Sequence, residues 1–368
     1  MSNITKALRR GLSSGLPTVL AILAALILGG VIMVVLGYNP GEAYGELLRG
    51  AFVGAFNFGS TLERFTPLLL TGLAFTVSAT AGVFNVGVEG QLYLGAFAAT
   101  WVGLFVKGVP PFIHITLAIL FAMVVGALWG AIPGALRAYY NANEICTTIM
   151  LNYVAILFTS YLVNRPFSGG TGAPETKTIA SSAFLPWIMP PSRANIGLFI
   201  AIAAMIITYW IIHRTSFGYE IRAVGQNTSF SEYVGIKPKR TVLMAMMLSG
   251  AIAGLAGSIE ILGINRRFVD SFSPGYGFDG IVVAALSGNN ITVLPIFSFF
   301  LAVLKSGAAA MERFTGVPKE LLGTIEAIFI ILTASKVAFE IRRRRADEPI
   351  AGAGKPGEKG REAEVTVN

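Results

Sequence analysis

Two short fragments place acids where this apolar chain carries few others. Gly87-Val88-Glu89-Gly90 and Gly277-Phe278-Asp279-Gly280 each set a carboxylate between glycines, directly before an apolar run. The first lies in a longer loosened stretch, Gly82 to Gln91, that also holds Asn85. A carboxylate at membrane depth is costly and points to a solute path or a structural ion pair. Irregular backbone at that depth is tolerated only where protein or water covers it. A second reading stays open, in which the stretch is a tight turn at the cytoplasmic surface and Glu89 caps the helix that follows.

Asn152 and Tyr153 sit inside another apolar run, and Asn265 to Tyr276 mixes charge, turn formers and aromatics, Phe272 and Tyr276 among them. Amides offer hydrogen-bonding edges and aromatics a stacking face. Asn85, Glu89, Asn152, Phe272, Tyr276 and Asp279 therefore suit a lining that binds a small polar solute. The plainer role for Asn152 is joining neighbouring helices. For Arg266 or Arg267 it is pairing with Asp270 among the headgroups.

Covalent or hydrolytic chemistry has little to work with. Cys146 is the only cysteine, which excludes an intrachain disulfide and disfavours a Cys-based metal site. His114 and His213 fall at opposite ends of apolar runs, and no nucleophile set or paired-acid metal motif converges. Gly352-Ala353-Gly354-Lys355 has the outline of a phosphate loop. However, Pro356 replaces the required hydroxyl residue and no strand precedes it. The chain is read as non-catalytic, binding no cofactor and no metal of its own.

The elements that hold these residues follow from composition. Hydrophobic residues make up 54% and charged ones 13%, with a mean hydropathy of +0.67. Soluble domains carry about 25% charged residues. Apolar segments fall near 16–37, 65–82, 91–106, 112–134, 146–163, 196–212, 241–263, 278–288, 291–310 and 321–339. Runs of ~20 residues cross ~30 Å of hydrocarbon as helices. The first lacks a signal-peptide cleavage site and reads as a retained helix. The eighth is short enough to be a half-crossing. The predicted fold is an all-α polytopic membrane protein of about ten transmembrane helices. Gly126, Gly130 and Gly134, like Gly250 and Gly254, recur every four residues and predict close helix packing. Trp101, Trp187 and Trp210 suit interfacial anchoring.

Charge placement orients the bundle. With Lys6, Arg9 and Arg10 in the cytoplasm, ten crossings return Arg342 to Arg345 to the same side. The net charge of +8 sits at span ends and in the tail, where orientation and anionic lipid account for it without nucleic acid. Residues 1–15 form a cytoplasmic N-terminus, 16–340 the membrane domain, and 341–368 a basic tail whose composition predicts disorder. The alternation places the Glu89 fragment inside and the Asp279 fragment outside. An inverted repeat, spans two to five mirrored by seven to ten, would give that arrangement. The same alternation puts the polar, basic segment 214–240 inside, where a short helical pattern suits it to receive force from another protein.

Three strings carry a family resemblance. Gly82-Val83-Phe84-Asn85-Val86-Gly87-Val88-Glu89-Gly90-Gln91-Leu92-Tyr93-Leu94-Gly95 resembles the signature of permease subunits of ATP-binding-cassette importers for simple sugars, nucleosides and branched-chain amino acids. Asn143 through Tyr153 resembles the nucleoside-type branch. Gly218-Tyr219-Glu220-Ile221-Arg222-Ala223-Val224-Gly225-Gln226-Asn227, followed by Gly235-Ile236, resembles the cytoplasmic coupling segment. Ser229 and Ser231 depart from the small alanines usual there. Ser is the weaker helix former.

The resemblance implies a permease subunit in a bacterial or archaeal plasma (inner) membrane with both termini cytoplasmic. It implies a second permease, identical or different, and separate ATPase subunits that bind ATP and Mg. It also implies an extracytoplasmic substrate-binding protein. Gly218, Arg222, Ala223, Gly225, Asn227, Gly235 and Ile236 would form the ATPase-coupling element. Nucleosides are the expected cargo, with simple sugars the alternative. Glu260, Lys305 and Glu326 keep an ion-coupled secondary transporter as the rival from another class.

Overall fold

The computed structural model describes residues 23–318, 320–328 and 331. The expected N-terminal segment 1–15, the start of the first span, most of the tenth span and the tail 341–368 lie outside them. The described residues form helices and isolated bridges but no strand. The order is α1 (Leu23–Val35), α2 (Pro40–Phe52), α3 (Ala55–Thr80), α4 (Val88–Phe105), α5 (Pro111–Tyr140) and α6 (Glu144–Asn164). Then come α7 (Gly197–Arg214), α8 (Ser216–Gln226), α9 (Thr228–Tyr233), α10 (Pro238–Ile259), α11 (Tyr276–Leu286), α12 (Leu294–Thr315) and α13 (320–328). A π-helical turn, Glu260–Asn265, prolongs α10. Among the described residues α5, α6, α7, α12 and the extended α10 are single helices long and apolar enough to cross a membrane.

Two features differ from the hydropathy pattern for electrostatic reasons. α2 falls between the first two apolar segments, because Glu42, Glu46 and Arg49 interrupt its apolar positions. It forms because Asn39 caps it, accepting from the Gly41 amide, and Pro40 suits the first turn. Its Ala43, Leu47, Gly50 and Ala51 face inward, and it packs on α12. α3 begins at Ala55 rather than near 65, because Glu63 and Arg64 lie within the helix and mask its first turns.

Glycine faces set the core. Gly126 and Gly130 of α5 meet the Gly250 and Met246 carbonyls of α10, Gly95 of α4 meets Gly254, and Gly257 meets the Leu92 carbonyl. No side chain fits at these crossings, so backbones pack directly, as the four-residue spacing predicts. Pairing follows an exchange pattern: α4 packs on α5 and α10, while α11 packs on α12 and α3. α5 also lies on α10, and α12 on α3. That exchange fits an inverted repeat of spans two to five and seven to ten.

The two ends of the bundle differ. At one, α8 and α9 pack beneath α3, α7 and α10. At the other, residues 165–195 fold over the end of α10. The Thr176 amide donates to the Phe268 carbonyl, the Ile179 amide to Arg266 and the Trp187 indole to Gly263. The expected pairing of Arg266 or Arg267 with Asp270 does not form. Arg267 bonds Glu175 at 2.6 Å, and Arg266 lies 4.0 Å over Trp187 and 4.3 Å over Phe184. Asp270 accepts instead from Ser160 and Asn164 of α6. Trp187 is thus built into this cover as well as facing outward.

Candidate functional site

The two glycine-flanked acids open helices whose N-termini meet inside the bundle. After α3 ends at Thr80, the chain turns back and starts α4 at Val88, so Glu89 lies in the first turn of α4. Glu89 is 3% exposed, which removes it from any aqueous surface. Its Oε2 accepts from the Gly277 amide at the start of α11, and Ser273 also hydrogen-bonds the carboxylate. Two helix N-termini converge there, each a region of positive potential that favours a carboxylate. Gly277 lies against the Glu89 backbone with no room for a side chain.

Two amides hold the turning segment in place. Asn85 donates to Ser249 of α10 at 2.9 Å and to Gln91 at 3.1 Å, while accepting from the Gly87 amide. Ser249 in turn donates to the Ala74 carbonyl of α3. Asn152 of α6 donates to the Val86 carbonyl and accepts from the Gly90 amide, both at 2.8 Å. Buried backbone groups need such partners. Asn85 and Asn152 are therefore occupied as clasps on residues 85–91, whereas the neighbouring Tyr153 is 65% exposed and faces away.

Phe272 joins the cluster through Tyr93 of α4, ring centroids 4.8 Å apart, with Phe268 beside it. Tyr276 is buried at the first residue of α11. Asp279, one turn on, pairs with Lys305 of α12 at 3.0 Å, and Lys305 lies 3.9 Å from Glu326 of α13. One Asp279 oxygen and one Glu260 oxygen are buried without a hydrogen-bond partner. The fold thus gathers all six expected lining positions around the meeting of α4 and α11. Gln91, the end of the Gly82–Gln91 stretch, completes the set together with Ser249 and Ser273, which no motif marks. Lys305 was visible as a lone cation inside a span. Among the described residues, no cluster of three metal-ligating side chains occurs.

The expected coupling residues form one compact element. Thr215 caps α8 by accepting from the Gly218 amide, and Gly218 sits so close to the Ile211 and Ile212 carbonyls that no side chain would fit. Gly225 lies against the Thr80 carbonyl at the end of α3, which a Cβ would overlap. The Ala223 carbonyl accepts from the Asn227 amide, and Asn227 caps α9 by accepting from Phe230. Ser231 is buried and donates to the Asn227 carbonyl, so serine fits this short helix. Gly235 closes α9 at φ +89°, a conformation glycine adopts freely, and the Ile236 amide donates back to the Ser231 carbonyl. Arg222 lines a cleft of about 370 Å³ with Thr80, His213, Asn289 and Asn290. Tyr219, Phe230 and Tyr233 project outward at 58%, 60% and 89% exposure.

Comparison with known proteins bears on this architecture. The family profile described as branched-chain amino acid transport system / permease component matches residues 57–334. The chain is 39% identical to the guanosine ABC transporter permease protein NupP of Bacillus subtilis (strain 168), over 89% of this chain and 95% of that protein. It is 36% identical to the nucleoside ABC transporter permease protein NupB of Lactococcus lactis subsp. cremoris (strain MG1363), covering 92% and 96%. It is 37% identical to the glucose ABC transporter permease protein TsgB13 of Haloferax volcanii, covering 93% and 94%. No solved structure matches the chain.

Proposed function

The chain belongs to the branched-chain amino acid transport system permease family, as a non-catalytic ABC importer permease of its nucleoside branch, and from that premise we propose that it imports nucleosides. The observation that carries the reading is the α8–α9 element. It is anchored by glycine contacts on one side and presents three uncovered aromatics on the other. An ATPase subunit docks there, at the cytoplasmic end, within the coupling segment 214–240. An extracytoplasmic binding protein delivers the cargo to the opposite end. A second permease subunit completes the pore in the plasma membrane.

The drive follows contacts. α8 touches the end of α3 through Gly225, and Arg222 faces the α11–α12 turn at Asn289 and Asn290. α3 leads through Asn85 to Glu89, and Glu89 holds the start of α11. One displaced element thus biases both half-helices, which suits alternation between inward- and outward-open states. With Asn85 and Asn152 occupied as clasps, Tyr276 buried and Asp279 paired with Lys305, half-buried Phe272 is the lining position with most freedom to meet solute.

Nucleoside cargo is favoured by the guanosine and nucleoside relatives. The glucose relative, of similar identity, keeps a simple sugar as the second reading. Proteoliposomes holding the permease pair, the ATPase and the binding protein should accumulate labelled guanosine only with ATP. Uphill uptake by the permease alone would end the proposal. Glucose uptake that exceeds guanosine uptake would replace the cargo.

A further inference from the structure

At the end of the bundle away from α8 and α9, helices α2, α3 and α12 enclose an open cavity of about 700 Å³. Arg49, Arg64 and Arg313 line it, with Glu46 as the lone acid and Ser60 and Ser306 as neutral donors, while Asn57 donates to the Arg49 and Val53 carbonyls. Glu46 bonds only Arg49, at 3.1 Å. Among the described residues neither Arg64 nor Arg313 has a hydrogen bond or an ion pair. Arg64 also acts electrostatically on Glu63, Glu260 and Asp279, while exposed Arg313, with the Ser60 and Ser306 hydroxyls, keeps the cavity mouth basic. Guanidinium forks match phosphate geometry with paired N–H donors.

Depth and surroundings select the anion. Thr80 touches the coupling element, and the stretch of α3 from Thr80 back to Arg64 spans about 24 Å of helix, to Asn57 about 35 Å. Across a hydrocarbon layer of ~30 Å, that puts Asn57 in the opposite headgroup region and Arg64 about one helical turn short of it, where a long Arg side chain reaches the headgroups. The cavity rim is apolar, with Phe56 and Phe314 lining it and Leu48, Phe52 and Val53 exposed alongside. A free phosphate would have no use for that surface, whereas acyl chains would lie on it. We propose that this cavity binds the phosphodiester headgroup of an anionic phospholipid, gripped by Arg64 and Arg313.

Native mass spectrometry of the full chain tests the assignment, after reconstitution with equal phosphatidylglycerol and phosphatidylcholine. Wild type should retain phosphatidylglycerol about tenfold over phosphatidylcholine. The double variant Arg64→Gln with Arg313→Gln should bring the ratio near unity. Should that variant lose its folded, monodisperse state, Arg313→Gln alone, at an exposed position, should still lower the ratio severalfold. Wild type and variants retaining the two lipids alike would overturn the proposal. Displacement of the retained lipid by millimolar inorganic phosphate would overturn the lipid source and leave a free-phosphate site. Loss of retention only when a binding protein is added would assign the arginines to acidic side chains of that protein.

Discussion

Glu89 and Gly277 lie 188 residues apart in sequence, yet a side-chain oxygen of the first accepts the backbone N–H of the second. The bond links the first turns of α4 and α11, the two short-entry helices of the opposite halves. Its geometry makes the carboxylate a clamp between halves. Removing it leaves a buried amide without its partner. Glu89→Ala should cost about 1–3 kcal/mol, read as a lower thermal midpoint in detergent. Glu89→Gln keeps an acceptor oxygen and should cost less. A midpoint unchanged in Glu89→Ala would deny the clamp.

Asn152 serves two backbone groups at once, so its variants should grade. Asn152→Ala should lose both bonds, while Asn152→Asp keeps the acceptor for the Gly90 amide but loses the donor to Val86. We expect destabilisation of roughly 1–3 kcal/mol for the alanine variant. Transport should fall with stability and not with apparent affinity for cargo. A selective rise in the uptake KM at normal stability would make Asn152 a solute ligand instead.

The Lys305–Asp279 pair is enclosed by α11, α12 and α13. Both side chains are partly buried, so removing one partner costs about 1–3 kcal/mol. Lys305→Met should therefore be destabilising, and adding Asp279→Asn should recover part of the loss, Glu326 still lacking its cation. Additive effects in the double variant would show the two charges to be independent.

Gly225 meets the Thr80 carbonyl with no space between them. Gly225→Leu, alone or with Arg222→Ala, should leave membrane insertion intact yet break the link between ATP hydrolysis and uptake. The expected result is ATP turnover at or above basal level with uptake reduced about tenfold or more. Loss of insertion would give Gly225 a folding role alone.

The exposed aromatics of α8 and α9 make a separable surface. Phe230→Asp or Tyr233→Ala should leave the thermal midpoint within about 0.5 kcal/mol of wild type, as expected for uncovered positions. Co-purification of the ATPase should drop sharply. Full retention of the ATPase by both variants would place docking elsewhere.

Much of this was legible in the sequence because lipid imposes simple rules. Within the described residues the apolar runs, the four-residue glycine faces and the short eighth span all appear as helices or helix contacts. α2 was not legible, since its charged face hides an inward stripe of Ala43, Leu47 and Ala51. The fragments holding Glu89 and Asp279 were visible as local irregularities. Their meeting depends on how α4 and α11 cross, which no local pattern states. Asn85 and Asn152 show the same limit. An amide that lines a path and one that clasps a turn look alike until its partners Val86, Gly90 and Ser249 are in place. Arg267 passes over nearby Asp270 for Glu175 because residues 165–195 fold back, a long-range event.

Gly126, Gly250 and Gly254 seat α5 and α10 backbone to backbone, leaving nothing soft between them. The extended α10 runs 28 residues, about 42 Å of rod, from beside α9 to the strap that grips Arg266. Such a rod transmits a push without absorbing it. Under the proposed function, a nudge at its foot reshapes the platform at its head, so α10 gives cargo delivery and nucleotide turnover a stiff link beside the route through α3 and Glu89.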